Sequence, residues 1–346
     1  MNVQPGLDVA RLEKYLAGQL GQFTPPLEVR QFDGGQSNPT YQLITPSGTY
    51  VLRRKPPGTL LPSAHAVDRE FRILSTLHPS GFPVPRPYLL CTDDSVIGSM
   101  FYVMEHVAGR ICRDPLLPEQ TPQQRRAIYH AVNNTIARLH NLDGRALGLG
   151  DFGKPGNYVA RQVERWTKQY KASETERIAE MEQLIDWLPR HLPEHAGHAI
   201  VHGDYRLDNL ILHPTEPTVL AVLDWELCTI GDPLADFTYH LMPWYMPAEG
   251  SKSGTTLAGA DLADLGIPTA EEYTARYLDR TGHSALPDLD YYLAYNFFRL
   301  AAILQGVVGR GRDGTAATPE AARNAARVRP LAKRAWEFAR QAGASL

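Results

Sequence analysis

The sequence predicts an α+β chain in which a small β-rich part comes first and a larger helical part follows. Three observations predict it. Between residues 27 and 54, LEVRQF, TYQLIT and TYVLRR are short segments rich in β-branched and aromatic residues, separated by the turn-forming DGGQSN and PSG; this is the pattern of strands joined by turns. After Gly109 apolar residues recur at helical spacing, most clearly over 122–140, where Ile128, Val132, Thr135, Ile136 and Leu139 share a face. The length, 346 residues, exceeds what one ordinary core accommodates and points to two lobes.

Taken in order, residues 8–20 space Val9, Leu12, Leu16 and Leu20 as one helix face. The strand block follows. Residues 64–77 (AHAVDREFRILSTL) read as a helix with Val67, Phe71 and Leu74 on one side. PVPRP at 83–87 excludes helix, and FYVMEHV at 101–107 reads as a strand. Residues 157–188 hold one or two helices, and LILH (210–213) with TVLAVLDW (218–225) reads as a small hairpin. From Pro233 onward the chain reads as helices with long loops. The expected lobes are 1–104 and 105–346, with a hinge near 104–109.

Apolar residues make up 43% and charged residues 21% of a chain with net charge −3. That balance fits a soluble globular protein and implies no general affinity for nucleic acid or membrane. Cys91, Cys112 and Cys228 are scattered, with no C-x-x-C, so neither a disulfide framework nor a zinc site is indicated. MNVQPGLDVARLEKYL lacks the basic-then-apolar pattern of a secretory signal. The apolar stretch FFRLAAILQGVVG is interrupted by Arg299 and Gln305 and falls short of a membrane span. A cytoplasmic location is expected; the oligomeric state is not legible.

VHGDYRLDNLILH (201–213) sets His202, Asp204, Asp208 and Asn209 just before an apolar run. Asp204 suits a base that accepts a hydroxyl proton, and Asn209 suits a Mg²⁺ ligand through its amide oxygen. Spacing alone leaves Asp208 a rival of Asp204, and His202 suits a bracing role. LDWE (223–226) ends an apolar run on Asp224, where a bound cation would explain the carboxylate, with Glu226 nearby. In GDPLADF, Asp232 reads as a helix N-cap followed by Pro233, with Asp236 one turn in. Earlier, Gly34 and Gly35 could let backbone N–H groups approach a phosphate, with Ser37 as a further donor. Arg53, on the same side of its strand as Val51, suits a polyphosphate, and Glu70 on the next helix could hold it. In isolation the same residues also suit an ordinary glycine hairpin, a surface arginine on an edge strand and a solvated helix face.

In their order, H-G-D-x-x-x-x-N, L-D-W-E and G-D-P-x-x-D resemble the aminoglycoside phosphotransferase and choline kinase superfamily over residues 30 to about 245. VLRRKPPG, REFRIL and FYVMEHVAGR resemble the branch that includes the kinase-like domain of certain large acyl-CoA dehydrogenases and free-standing bacterial relatives. The resemblance implies a bilobal protein-kinase-like fold and ATP-dependent transfer of a phosphoryl group to a hydroxyl. It implies that Asp204 is the catalytic base, that Asn209 and Asp224 hold Mg²⁺, and that Asp236 braces the catalytic loop. Arg53 falls where the superfamily has a phosphate-binding lysine, with Glu70 as its partner; Arg54 and Lys55 adjoin it, so the register stays open. Met104, Glu105 and Val107 fall in the hinge segment whose backbone would hydrogen-bond adenine.

The acceptors implied range over aminoglycosides, choline, sugars and hydroxyacyl-CoA thioesters. From residue 300 onward 8 basic residues face 3 acidic ones, and Arg323 and Arg327 share a helix face. An anionic, CoA-linked acceptor suits that balance better than a polycationic aminoglycoside; a solvated basic helix is the plain alternative. A weak nucleotide-binding module without turnover stays open. A protein kinase is disfavoured, because HGD replaces H-R-D, LDWE replaces D-F-G, and no A-P-E segment follows.

Overall fold

The computed structural model describes residues 7–32, 38–56, 65–154, 156–194, 197–248, 256–312 and 318–345. In chain order the elements are α1 (Val9–Gln19), β1 (Glu28–Gln31), β2 (Thr40–Thr45), β3 (Gly48–Arg54), α2 (Val67–Leu77), β4 (Pro87–Cys91), β5 (Phe101–Glu105), α3 (Pro122–His140), α4 (Tyr158–Ser173), α5 (Ala179–Trp187), β6 (Ala199–Val201), β7 (Leu210–Leu212), β8 (Val219–Val222), β9 (Thr229–Gly231), α6 (Pro233–His240), α7 (Met242–Tyr245), α8 (Leu262–Leu265), α9 (Ala270–Thr281), α10 (Leu289–Arg312) and α11 (Thr318–Gln341).

The first compact unit is Met1–Arg110 with Asn209–Cys228. Its sheet has the order β1-β2-β3-β5-β4, antiparallel throughout. Leu43, Leu52, Phe101 and Val103 share a buried cluster with Leu12 and Leu16 of α1. Side chains alternate along a strand, so Arg53, next to Leu52, points to the other face. β3 pairs with β2 on one side and β5 on the other, with Arg53 opposite Thr40 and Tyr102. Arg53 therefore stands on an interior strand, not on the sheet edge that its isolated sequence allowed. β4 was not foreseen. It starts on a proline, lies at the sheet edge and shows no alternation in burial.

β7 and β8 form the expected antiparallel hairpin. The expected lobes left it in the second part, but it packs in the first unit. Arg110 and Leu212 exchange two backbone hydrogen bonds of 2.9 Å each, and Val222 N donates to Pro83 O at 2.8 Å. Trp225 packs its ring edge-on against Phe82, with centroids 6.0 Å apart.

The second unit is Ile111–Asp208 with Thr229–Leu346. α3 begins at a capping box, Thr121 with Gln124, and has Pro122 in its first turn; both compensate the open N–H groups of a helix start. α9 starts the same way, on Thr269 and Glu272. The core is aromatic: Phe297 of α10 stacks on Phe338 of α11 at 5.8 Å, and Phe237 of α6 on Tyr277 of α9 at 3.8 Å. β6 and β9 pair antiparallel; at three residues each, they are too short to leave a periodic signal. Among the described residues no helix is long and apolar enough to cross a membrane.

Candidate functional site

In the first unit the site is built around Arg53. Its Nε lies 2.8 Å from Glu70 Oε2 and its Nη2 lies 2.7 Å from Asp224 Oδ1, with Glu226 Oε2 at 3.5 Å. Glu70 is held further by Asn38 Nδ2, which donates to Oε1 at 2.8 Å, and by Tyr102 Oη, which donates to Oε2 at 3.0 Å. Burial pushes the Glu70 carboxyl up to about 7, against the opposing pull of Arg53 and of the Tyr102 hydroxyl. Burial alone would lower the Arg53 guanidinium; the Glu70, Asp224 and Glu226 carboxylates reverse this and hold it above its ordinary value. The adjoining cations have other partners: Arg54 is buried with its Nε donating to Ser99 Oγ at 2.9 Å, and Lys55 Nζ lies 3.8 Å from Asp68.

Asp224 is not the unpartnered carboxylate that an apolar strand end suggested, because Arg53 is its cation. Its backbone is left-handed, with φ +65°, a conformation unfavourable for a residue with a side chain and common at functional turns. Asn209 precedes β7 and Asp224 follows β8, so the antiparallel pairing puts both at one end of the hairpin. Leu223 N donates to Asn209 O at 2.8 Å. An amide oxygen and a carboxylate are the hard donors Mg²⁺ takes, so the donor set fits, with Arg53 competing for Asp224.

In the second unit the segment after β6 carries Asp204. Tyr239 Oη donates to Asp204 Oδ1 at 2.7 Å. Asp232 caps α6 by accepting from Leu234 N at 2.9 Å, and one turn later Asp236 reaches the loop. Its Oδ2 accepts from His202 N at 2.7 Å and its Oδ1 from Gly203 N at 2.9 Å. Burial alone would raise the Asp236 carboxyl; the nearby His140 and the His202 N–H outweigh this and hold it below the usual range. His202 Nδ1 accepts from Asp204 N at 3.2 Å, the bracing role foreseen for it. Asp208 is engaged by Arg206, whose Nε donates to Oδ1 at 3.0 Å and whose Nη2 donates to Oδ2. Arg206 Nε is 3.8 Å from Asp204 Oδ1.

Gly34, Gly35 and Ser37 lie outside the described residues. Met104 is buried and Glu105 and Val107 are half-buried. Glu105 N donates to Arg86 O at 2.8 Å, and Glu105 Oε2 accepts from Arg86 N at 3.1 Å. The Glu105 N–H is thus used within the fold. Asn38, Tyr102, Tyr239 and Arg299 were not foreseen. Each meets its partner, Glu70 in the first unit and Asp204 or Gly203 in the second, from a distant part of the chain; only a charged residue interrupting the apolar run at Arg299 left a trace.

A profile of the phosphotransferase enzyme family matches residues 28–292. The chain belongs to that family. It is 49% identical to mouse acyl-CoA dehydrogenase family member 10 over 336 residues, 96% of this chain and 31% of the relative. With human acyl-CoA dehydrogenase family member 11 it shares 42% over 334 residues, 96% of this chain and 42% of the relative. The chain thus spans less than half the length of these curated relatives. A Ralstonia eutropha protein, assigned provisionally as an aminoglycoside phosphotransferase, superposes with TM-score 0.88 at 49% identity, covering 97% of this chain and 99% of its own. Choline kinase from Cryptosporidium parvum superposes with TM-score 0.66 at 12% identity over 97% of each chain, a likeness of fold alone. The expected protein-kinase-like α+β architecture of this family is therefore what the chain has.

Proposed function

We propose that the chain transfers the γ-phosphoryl group of ATP, with Mg²⁺, to the hydroxyl of a small molecule, and that the acceptor class is a hydroxyacyl-CoA. The observation that carries the reading is the held carboxylate of Asp204, hydrogen-bonded by Tyr239 at 2.7 Å in a loop whose preceding N–H groups are fixed by Asp236. Phosphoryl transfer needs positioning and charge stabilisation more than covalent chemistry. Asp204 orients the acceptor hydroxyl and takes its proton. The Arg206 pairing of Asp208 supports Asp204 over its rival. Arg53, held by Glu70, binds phosphate oxygens, with Gly34, Gly35 and Ser37 as further candidate donors to them. Met104, Glu105 and Val107 lie in the segment whose backbone would hydrogen-bond adenine. Asn209 and Asp224 hold Mg²⁺, which neutralises charge on the phosphates when bound.

Charge supports the anionic acceptor. Arg206 lies 3.8 Å from Asp204. Burial and the nearby charge of Arg206 both lower Arg327 of α11, so a second cation adjoins Arg206. Such surroundings favour a CoA thioester and oppose a polycation. The relatives named as acyl-CoA dehydrogenase family members support the same acceptor class. One observation favours a second reading, a nucleotide-binding module with little turnover: Arg53 is ion-paired to Asp224, the proposed Mg²⁺ ligand. A screen of MgATP turnover against hydroxyacyl-CoAs, aminoglycosides, choline and sugars tests both. The expected result is turnover with a hydroxyacyl-CoA; nucleotide binding with no turnover on any acceptor would favour the module.

A further inference from the structure

We propose that Tyr239 and Arg299 are positioning residues for Asp204, fixing its carboxylate toward the acceptor hydroxyl; this rests on the phosphotransferase reading above. Tyr239, near the end of α6, donates its Oη to Asp204 Oδ1 at 2.7 Å. The guanidinium of Arg299, from α10, lies over the Tyr239 ring with Cζ 4.7 Å from the centroid, and 5.6 Å from that of Trp166. The same group donates from Nη2 to Gly203 O at 2.6 Å. Gly203 directly precedes Asp204 and has φ +84°, a turn open to glycine. One arginine therefore touches both the backbone that presents the base and the ring bonded to it.

Packing does not explain Arg299. It is 5% exposed, among Phe297, Phe298 and Ala301 of the same helix, which are fully buried. Its Nε is buried with no hydrogen-bond partner among the described residues. An apolar side chain would fill this space without the desolvation cost of a buried charge. What an apolar side chain lacks is the bond to Gly203 O and the cationic hold on Tyr239. A hydrogen bond to one carboxylate oxygen restricts rotation of the Asp204 carboxyl about Cβ–Cγ. Orientation of this kind acts on the reacting complex, and its loss lowers kcat more than it raises KM for nucleotide.

The test uses the full chain with MgATP and 3-hydroxybutyryl-CoA, and separately with water as acceptor. Tyr239→Phe keeps the ring and removes the hydroxyl. It should lower kcat about tenfold and leave KM for MgATP within about twofold. Arg299→Met should lower kcat at least as much, with Arg299→Lys restoring part of it. In the Asp204→Asn background Tyr239→Phe should have no further effect, whereas a merely structural tyrosine would slow both backgrounds alike. If Arg299→Met does not fold, Tyr239→Phe still decides. Wild-type kcat in Tyr239→Phe, with Asp204→Asn inactive, overturns the positioning role and leaves the phosphotransferase reading standing. A wild type inert on both acceptors, or an Asp204→Asn variant at full activity, overturns that reading and this proposal with it.

Discussion

Arg53 Nη2 lies 2.7 Å from Asp224 Oδ1, which ties an interior strand of the sheet to the left-handed turn after β8. The same guanidinium meets Glu70 through Nε at 2.8 Å. A lysine has one terminal nitrogen; the arginine fork reaches two carboxylates with different nitrogens. The arginine at this position is therefore matched to its surroundings.

Removing that cation leaves Glu70, whose side chain is 2% exposed, without its ion pair. Arg53→Met should cost about 3 kcal/mol at pH 8, the usual scale for breaking a buried pair from one side. Burial already pushes Glu70 up to about 7, and loss of Arg53 pushes it further. A buried carboxyl with a raised folded value favours the folded state below the unfolded value and loses that stability as pH rises. The difference between variant and wild type should therefore shrink on going from pH 8 to pH 5. Urea midpoints at the two pH values measure it; a difference that does not shrink would mean Glu70 is not the group left behind.

His240 supplies a pH dependence of the opposite sign. Burial lowers it from 6.5 to about 4, and its Nε2 lies 2.8 Å from Tyr273 Oη. A depressed folded value gives stability that is complete above the unfolded value and lost as pH falls through the folded one. Its contribution, roughly 3 kcal/mol from the linkage relation, should disappear between about pH 6.5 and pH 4. Stability curves of wild type and His240→Gln should converge over that window; parallel curves would remove His240 as the cause.

Asp236 accepts from two backbone N–H groups, His202 N and Gly203 N, in the loop that carries Asp204. Asp236→Asn preserves its shape but turns an amide N–H₂ toward one of those donors. Leaving a buried donor unsatisfied costs roughly 1–3 kcal/mol. The variant should unfold earlier in urea and turn over more slowly. An unchanged midpoint would show that the loop does not depend on this brace.

The acceptor assignment rests on the cations of α11. Replacing Arg323 and Arg327 by Ala should raise KM for a hydroxyacyl-CoA about tenfold, the equivalent of one charge-assisted contact at about 1.4 kcal/mol, and leave KM for ATP alone. The wild type should also prefer the CoA thioester over the free hydroxy acid in kcat/KM, since remote contacts can act in the transition state. Equal use of the free acid would overturn the CoA assignment and leave the kinase chemistry standing.

Much of the fold was legible because its signals are local. α3 follows the periodic run 122–140 residue for residue, and Asp232 with Pro233 announced the start of α6. The three-residue strands β6 and β9 and the proline-led edge strand β4 carry no period to read. The site divides along the same line. Asp204, Asn209 and Asp224 stand in short ordered motifs, so their order made them candidates. Glu70 was legible as a helix residue, but its partners Asn38 and Tyr102 come from 32 positions to either side in the chain. Tyr239 is 35 residues from Asp204, and Arg299 is 96 from Gly203. Only the packed chain brings these together. The grouping of the hairpin 209–228 with the first unit was hidden for the same reason: it depends on backbone bonds between Arg110 and Leu212.

The central claim is that Asp204 takes the acceptor proton in an ATP-dependent phosphoryl transfer. Steady-state turnover of MgATP with a hydroxyacyl-CoA by wild type and Asp204→Asn tests it most directly, with nucleotide affinity measured alongside. Turnover should fall by roughly 10²–10⁴-fold, the range for a positioned acid–base group, while nucleotide affinity stays nearly intact. Near-normal turnover in Asp204→Asn would contradict the account.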